Sequence, residues 1–252
     1  MMHKETVRVL PEAKTAVMLI HGICGSPNHF RQLLPIESHI PEDWSVYNLV
    51  LDGHCGSVED FGRSSMKKWK TQVESVFDDL CRSHDRVVLV GHSMGTLLSI
   101  HLALRKPEKI PFLFLLAVPV RVFVQPRAVG YLFRIALDRK DDRDPVLVSM
   151  LNGCGITQTK KLWKYIPWTP RMVELLRECS ATGKSLTRLR VPCIAWQSDK
   201  DEMVSRRAGK CLRESGRVEV HDLPDSTHFY YSDQDAESIL QSFWDACDKY
   251  IK

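Results

Sequence analysis

A serine stands at the centre of the motif Gly91-His92-Ser93-Met94-Gly95, which has the pattern G-x-S-x-G. The motif follows a β-branched run at 86–90 and precedes a segment with helical spacing at 96–104, which favours a tight strand-to-helix turn. Such a turn lifts the serine hydroxyl above a sheet, and the start of the helix offers N–H groups to a developing oxyanion. The pattern therefore predicts nucleophilic attack by Ser93, the alternative being a chance match in an ordinary turn.

A serine nucleophile needs a base that takes its proton and an acid that orients the base. His228 is the predicted base, and its alternative is a histidine in a surface loop. Asp201 is the preferred acid; Asp199 competes with it but is interpreted as a turn former. Glu202 is interpreted as part of a solvated face. Each candidate follows a strand-like segment, and such loops meet at the carboxyl edge of a parallel sheet.

An oxyanion hole needs two converging backbone donors. The first is the N–H of Met94, directly after the serine. The second is expected after the apolar run at 15–20, where His21-Gly22 begins a turn, and it is the N–H of Ile23. Gly22 lets the backbone approach the nucleophile closely, and the alternative is a plain His-Gly turn.

Aromatic and apolar residues at 163–168 form a candidate acyl-binding patch. Trp163, Ile166 and Trp168 are predicted to bind substrate; they could also touch lipid, and packing inside a helical core is equally favoured. Cys24 and Cys55 could be reactive thiols, although buried and inert cysteines are more common.

A metal site built from histidines is the remaining chemical alternative. His21, His54, His92 and His228 match no ligand spacing such as H-E-x-x-H, so neither a metal nor a cofactor is expected. His92 lies inside the serine motif and is expected to point beneath the turn.

Alternating strand-like and helix-like segments surround these residues and predict an α/β fold with a mainly parallel sheet covered on both faces. A break at 121–186, which has no strand signal, predicts an inserted helical lid. The predicted strands are 6–10, 15–20, 45–51, 86–90, 112–118, 191–197 and 218–223. The predicted helices are 28–39 (interrupted by Pro35), 66–81, 96–104, 129–137, 170–179, 205–215 and 235–250, and the last of them is expected to place Trp244 on its inner side.

Composition is that of a soluble globular protein, with 252 residues, 44% hydrophobic and 26% charged. The net charge of +4 is spread over 35 basic and 31 acidic residues without a basic stripe, so no nucleic-acid partner is expected. No signal peptide or membrane-spanning run is visible, and stable membrane insertion is not expected. The eight cysteines lack a C-x-x-C pair and are read as reduced thiols, so a cytoplasmic protein is expected.

Five motifs in this order resemble those of bacterial carboxylesterases and monoacylglycerol lipases of the α/β-hydrolase superfamily. They are H-G-I-C-G-S (21–26), D-G-H-C-G-S (52–57), G-H-S-M-G (91–95), D-E-M-V (201–204) and S-T-H (226–228). The resemblance implies an α/β-hydrolase core at 1–120 and 187–252, with a small helical lid at 121–186. It also implies a triad of Ser93, Asp201 and His228, with Ile23 and Met94 as oxyanion donors.

By the same resemblance, the substrate is a small acyl ester of short to medium chain length or a monoacylglycerol. Cys55 replaces a family glycine, and Ile23 stands where close relatives often carry an aromatic residue, so the acyl pocket departs from the family pattern. The alternatives are a thioesterase or acyltransferase, a carbon–carbon bond hydrolase, and a non-catalytic interaction module on the same scaffold.

Overall fold

A mixed sheet forms the centre of the computed structural model, which describes residues 3–137, 139 and 141–251. Within this part of the chain the sheet has seven strands in the order β1-β3-β2-β4-β5-β6-β7. All neighbours are parallel except the edge strand β1, which runs antiparallel to β3. The strands are β1 (Thr6–Arg8), β2 (Thr15–Ile20), β3 (Ser45–Asn48), β4 (Arg86–His92), β5 (Leu113–Leu116), β6 (Cys193–Ser198) and β7 (Glu219–Leu223).

Helices cover both faces of the sheet, as the continuous apolar runs of its central strands require. The α-helices are α1 (Val58–Gly62), α2 (Met66–Ser83), α3 (Met94–Arg105), α4 (Pro126–Ala136), α5 (Pro145–Gly153), α6 (Thr169–Ser185), α7 (Arg207–Glu214) and α8 (Asp233–Ile251). Short 3-10 helices lie at Pro27–Phe30, Ile36–His39, Pro107–Lys109, Leu162–Trp168 and Leu186–Arg188. The α/β-hydrolase fold expected from the sequence is confirmed.

The core is divided into two layers because successive residues of a strand point to opposite faces. Met18 of β2 packs in the layer that contains side chains of α2, α3 and α7, whereas Leu19 packs in the layer of α8. Both side chains are fully buried. The two layers fix the sheet between the helices and leave its carboxyl edge to the loops that carry the candidate site.

Two local predictions were wrong. Helical spacing at 28–39 yields two short 3-10 helices instead of one α-helix, because Pro35 interrupts the segment. Trp244 was expected on the inner side of α8, but it is 38% exposed. It directly follows the buried Phe243, and one residue rotates the helix by about 100°, which turns the indole away from the core.

The segment 121–186 contains helices and no strand among its described residues. Helix α6 packs against α2 and α3, so it belongs to the layer that covers the sheet. Helix α5 instead contacts Pro27–Phe30, and Leu162–Trp168 contacts α1, both of which follow carboxyl ends of strands. The lid at 121–186 stays a prediction, and the part before α6 is the part that lies at this edge. Of the described helices, none combines the length and apolar character needed to span a bilayer.

Candidate active site

Ser93 occupies the one residue between the end of β4 and the start of α3. Its backbone has φ 50° and ψ −120°, a strained conformation for a residue with a side chain. A Cβ at Gly91 would lie 2.8 Å from the backbone of Gly95, and one at Gly95 would collide with the carbonyl oxygen of Ile20. Both glycines of the motif are therefore required by the close packing of β2, β4 and α3.

Three side chains from the loops after β4, β6 and β7 form one hydrogen-bonded chain. His228 Nε2 lies 3.0 Å from Ser93 Oγ, and His228 Nδ1 lies 2.8 Å from Asp201 Oδ2. With Nδ1 protonated, the ring donates to the carboxylate and accepts the serine proton. All three residues are buried, with 7%, 2% and 4% exposure for Ser93, His228 and Asp201. The arrangement can transfer a proton from Ser93 to His228 while Asp201 holds the ring.

Asp201 is held rigidly by the turn that follows β6. Its Oδ1 accepts the backbone N–H groups of Met203 and Val204, each at 2.7 Å, which leaves Oδ2 for His228. Asp199 is exposed and lies in a turn. Of the two competing acids, only Asp201 hydrogen-bonds the histidine within the described part of the chain.

Glu202 was interpreted as part of a solvated face, and that interpretation was wrong. The side chain is fully buried, and its Oε2 accepts the backbone N–H of His228 at 3.2 Å. Burial raises the pKa of Glu202, and the charge of Asp201 adds to the increase, while His228 opposes it. The signal in the sequence is the pair of consecutive acids directly after a buried strand, but spacing alone does not tell which way the second acid points.

The ionisation of His228 reflects competing influences. Burial lowers the pKa of the imidazole, but the charge and hydrogen bond of Asp201 and the charge of Glu202 raise it, and the net change is upward. The two carboxylates thus favour the imidazolium that forms when the ring takes a proton.

His92 points away from solvent towards the loop that carries His228. Its Nε2 donates to the carbonyl oxygen of His228 at 3.0 Å, and its ring stacks on His29 with 3.6 Å between centroids. Burial lowers the pKa of His92 and of His29 well below the usual value. Both rings are therefore neutral at pH 7, and His92 acts on the backbone of His228.

The loop after β2 lies directly against the nucleophile. A Cβ at Gly22 would be 2.9 Å from the Cβ of Ser93. The loop is closed by Gly25, whose N–H donates to the carbonyl oxygen of Gly22 at 3.0 Å. Neither Ile23 nor Met94 uses its N–H in a hydrogen bond to another described residue. These two groups are available for an oxyanion, and their role stays a prediction.

The two cysteines near this loop have little thiolate character. Burial raises the pKa of Cys24 well above its usual value and that of Cys55 to about 12. Only the thiolate is a good nucleophile, so neither thiol is activated. Among residues 3–137, 139 and 141–251, no group of three or more histidine, cysteine or acidic side chains is arranged to hold a metal ion.

The predicted substrate-binding residues differ in their surroundings. Trp168 is partly buried, its Nε1 donates to the carbonyl oxygen of Val58 at 2.8 Å, and its ring packs on Phe61. It therefore anchors the 3-10 helix to α1. Trp163 and Ile166 are 63% and 69% exposed. Within the described part of the chain, these three side chains make no hydrogen bond or ring contact with Ser93, Asp201 or His228, and substrate binding by them stays a prediction.

Comparison with known proteins finds one family whose model matches this chain and many solved structures of similar fold. A model of the "Alpha/beta hydrolase family" matches residues 17–239. A structure reported with LipS and LipT, two metagenome-derived lipolytic enzymes, is 19% identical with a TM-score of 0.73, and the match covers 98% of each chain. The monoacylglycerol lipase of Paleococcus ferrophilus is 15% identical with a TM-score of 0.65, covering 96% of this chain and 98% of the lipase.

A soluble variant of monoglyceride lipase from Saccharomyces cerevisiae is 13% identical with a TM-score of 0.66, covering 96% of this chain and 88% of the lipase. At such identities these structures show a shared fold alone. No curated protein matches the chain.

Proposed function

This chain belongs to the alpha/beta hydrolase family, and on that basis we propose that it is a serine carboxylic-ester hydrolase that forms an acyl-enzyme on Ser93. The observation that carries the proposal is the unbroken chain from Ser93 Oγ through His228 to Asp201, with hydrogen bonds of 3.0 and 2.8 Å. A buried serine, imidazole and carboxylate at these distances are the minimum set for base-assisted attack on a carbonyl.

Acylation passes one proton from Ser93 through His228 to the leaving alcohol. Ser93 Oγ attacks the ester carbonyl carbon as His228 Nε2 takes the hydroxyl proton, and Asp201 stabilises the resulting imidazolium. The N–H groups of Ile23 and Met94 bind the negative oxygen of the tetrahedral intermediate. When that intermediate collapses, His228 gives its proton to the leaving alcohol oxygen, and the acyl group stays on Ser93.

Deacylation repeats the proton transfers with water as the nucleophile. His228 removes a proton from water as the water oxygen attacks the acyl carbon, and the oxyanion is bound by the same N–H groups. Collapse breaks the bond to Ser93 Oγ, which regains a proton from His228, and the carboxylic acid leaves. No metal or cofactor takes part in either half of this scheme.

The proposed substrates are short- to medium-chain acyl esters or monoacylglycerols. Support comes from the lipolytic enzymes and monoacylglycerol lipases that share the fold, and from the apolar groups of the proposed lid at 121–186. Trp163 and Ile166 are exposed there and are proposed to contact the acyl chain or the surface that presents it.

The test compares hydrolysis of a p-nitrophenyl ester chain-length series and of monoacylglycerols by the wild-type protein and by Ser93→Ala. The proposal predicts turnover that is lost by several orders of magnitude in the variant, with an unchanged melting temperature. Equal hydrolysis by the two proteins would refute the assignment. Turnover of acyl thioesters in preference to oxygen esters would favour the thioesterase alternative, and absence of any turnover would favour an interaction module.

A further inference from the structure

His228 is held by partners on all four of its hydrogen-bonding groups. Its ring nitrogens meet Ser93 and Asp201, its carbonyl oxygen accepts from His92, and its N–H donates to Glu202. The residue lies outside the helices and strands, so no regular backbone ladder fixes it. Its position is therefore set by side chains. Of two consecutive acids, Asp201 holds the ring and Glu202 holds the backbone N–H.

Glu202 is poorly explained as a purely structural residue. It is fully buried, and within the described chain its Oε1 has no hydrogen-bond partner. Burying a carboxylate with an unpaired oxygen is unfavourable, so an apolar side chain would make a more stable core. Among the described residues, the hydrogen bond that its carboxylate accepts from another residue comes from the N–H of His228.

The backbone of Glu202 is held by a neighbouring residue, and from there its carboxylate reaches the N–H of His228. The carbonyl oxygen of Glu202 accepts from the N–H of Gln125 at 2.8 Å. The side-chain amide of Gln125 donates to the carbonyl oxygen of Asp201, also at 2.8 Å. The backbones of both acids are thereby tied to the start of the segment at 121–186, which fixes the position from which the Glu202 side chain reaches His228.

We propose that Glu202 is a positioning residue of the proton relay: its carboxylate fixes the backbone of His228, and its negative charge stabilises the imidazolium alongside Asp201. Glu202 touches neither the serine nor the reacting carbonyl, so it acts through the histidine. The role in turnover rests on the proposed hydrolase function, but the effect on the ring does not.

Two histidines and two tyrosines face His228 and the two acids, Asp201 and Glu202, that act on it. His29 and His92 face His228 from the first 3-10 helix and from β4, and burial lowers the pKa of each. Tyr131 of α4 faces Glu202, and Tyr231 faces Asp201; burial raises the pKa of each of these phenols. All four side chains are neutral near pH 7. The negative charge that acts on His228 there comes from Asp201 and, above its own raised pKa, Glu202.

Two variants separate the effect of the charge of Glu202 from the effect of its side-chain length. Glu202→Gln keeps an oxygen that can accept the N–H of His228 but removes the charge. Glu202→Asp keeps the charge but withdraws the oxygen by one methylene. Asp199→Asn is the matched control, because it removes an exposed acid of the same loop that does not hydrogen-bond His228. The intact protein is labelled at histidine, the pKa of His228 is followed by NMR, and His228→Gln identifies the signal.

We expect the pKa of His228 to fall by about 0.5 to 1 pH unit or more in Glu202→Gln, since a nearby charge of opposite sign is lost. In Glu202→Asp the pKa stays near that of the wild type, but kcat on a p-nitrophenyl ester falls about tenfold or more because the ring is misplaced. Asp199→Asn leaves both quantities unchanged. Melting curves confirm that each variant is folded.

Several results would overturn the inference. An unchanged pKa in folded Glu202→Gln, or an equal fall in Asp199→Asn, removes the charge effect. Wild-type kcat in Glu202→Asp removes the positioning effect, and this measurement decides the matter if the Gln variant does not fold. The two proposals fail separately: a protein without ester turnover whose His228 pKa still responds to Glu202→Gln contradicts the hydrolase function and supports the coupling of Glu202 to the ring.

Discussion

Replacement of Asp201 by asparagine tests how the proposed relay depends on the tautomer of His228. The Oδ1 atom of Asp201 accepts two backbone N–H groups, from Met203 and Val204, at 2.7 Å each. An asparagine keeps these bonds only by placing its carbonyl oxygen there, which turns its NH2 group towards Nδ1 of the ring. Because two donors cannot pair, the ring then carries its proton on Nε2 and cannot accept the proton of Ser93.

The loss expected from a wrong tautomer is about 10⁴ in kcat, equivalent to about 5.5 kcal/mol of transition-state stabilisation. The assay measures the kcat of Asp201→Asn on a p-nitrophenyl ester between about pH 6 and 9, a range that begins just below the usual histidine pKa of about 6.5. Asp199→Asn is the control and should stay within about twofold of the wild type, as is usual for a surface substitution. A mild effect in Asp201→Asn together with a severe one in Asp199→Asn would make Asp199 the acid and rule out Asp201.

Three further predictions concern the packing and ionisation around the site. Gly95→Ala should lower the free energy of unfolding by about 2 kcal/mol or more, because the added Cβ meets the carbonyl oxygen of Ile20 in β2. Gly130→Ala, at an exposed position of α4, should raise the free energy of unfolding by about 0.5–1 kcal/mol. Denaturant titration measures both. Because the pKa of His228 is raised and the base must be unprotonated, kcat/KM should rise with pH to a half-maximum above about 6.5; a half-maximum at or below that pH contradicts this. Trp168→Phe should lose about 1 kcal/mol of stability with the hydrogen bond to Val58, and an unchanged melting curve would argue against this anchor.

The sequence predicts those elements best in which propensity and burial agree. The apolar run at 15–20 becomes β2 with the expected bounds, and the helix expected at 66–81 is extended by two residues as α2. The glycines of G-x-S-x-G are explained by contacts with β2 and α3, as the motif requires. Prediction is weaker where strands end, as in the segment 112–118, of which β5 contains only Leu113–Leu116.

Side-chain direction in loops is the part of the site that spacing could not predict. Asp199, Asp201 and Glu202 lie within four positions of one turn, and their exposure depends on how that turn folds back on the loop of His228. Sequence reasoning favoured Asp201 over Asp199, and the hydrogen bond to the ring agrees with that choice. It also placed Glu202 in solvent, because a glutamate is rarely buried and the contact with a backbone N–H leaves no mark in the sequence.

Labelling by a fluorophosphonate measures directly whether the hydroxyl of Ser93 is activated by His228 and Asp201. Mass spectrometry of the digested protein should locate a single adduct on the peptide that contains Ser93, with labelling abolished in Ser93→Ala and strongly slowed in His228→Gln. Failure of the folded wild-type protein to react, or an adduct on another residue that survives Ser93→Ala, would show that Ser93 is not the activated nucleophile.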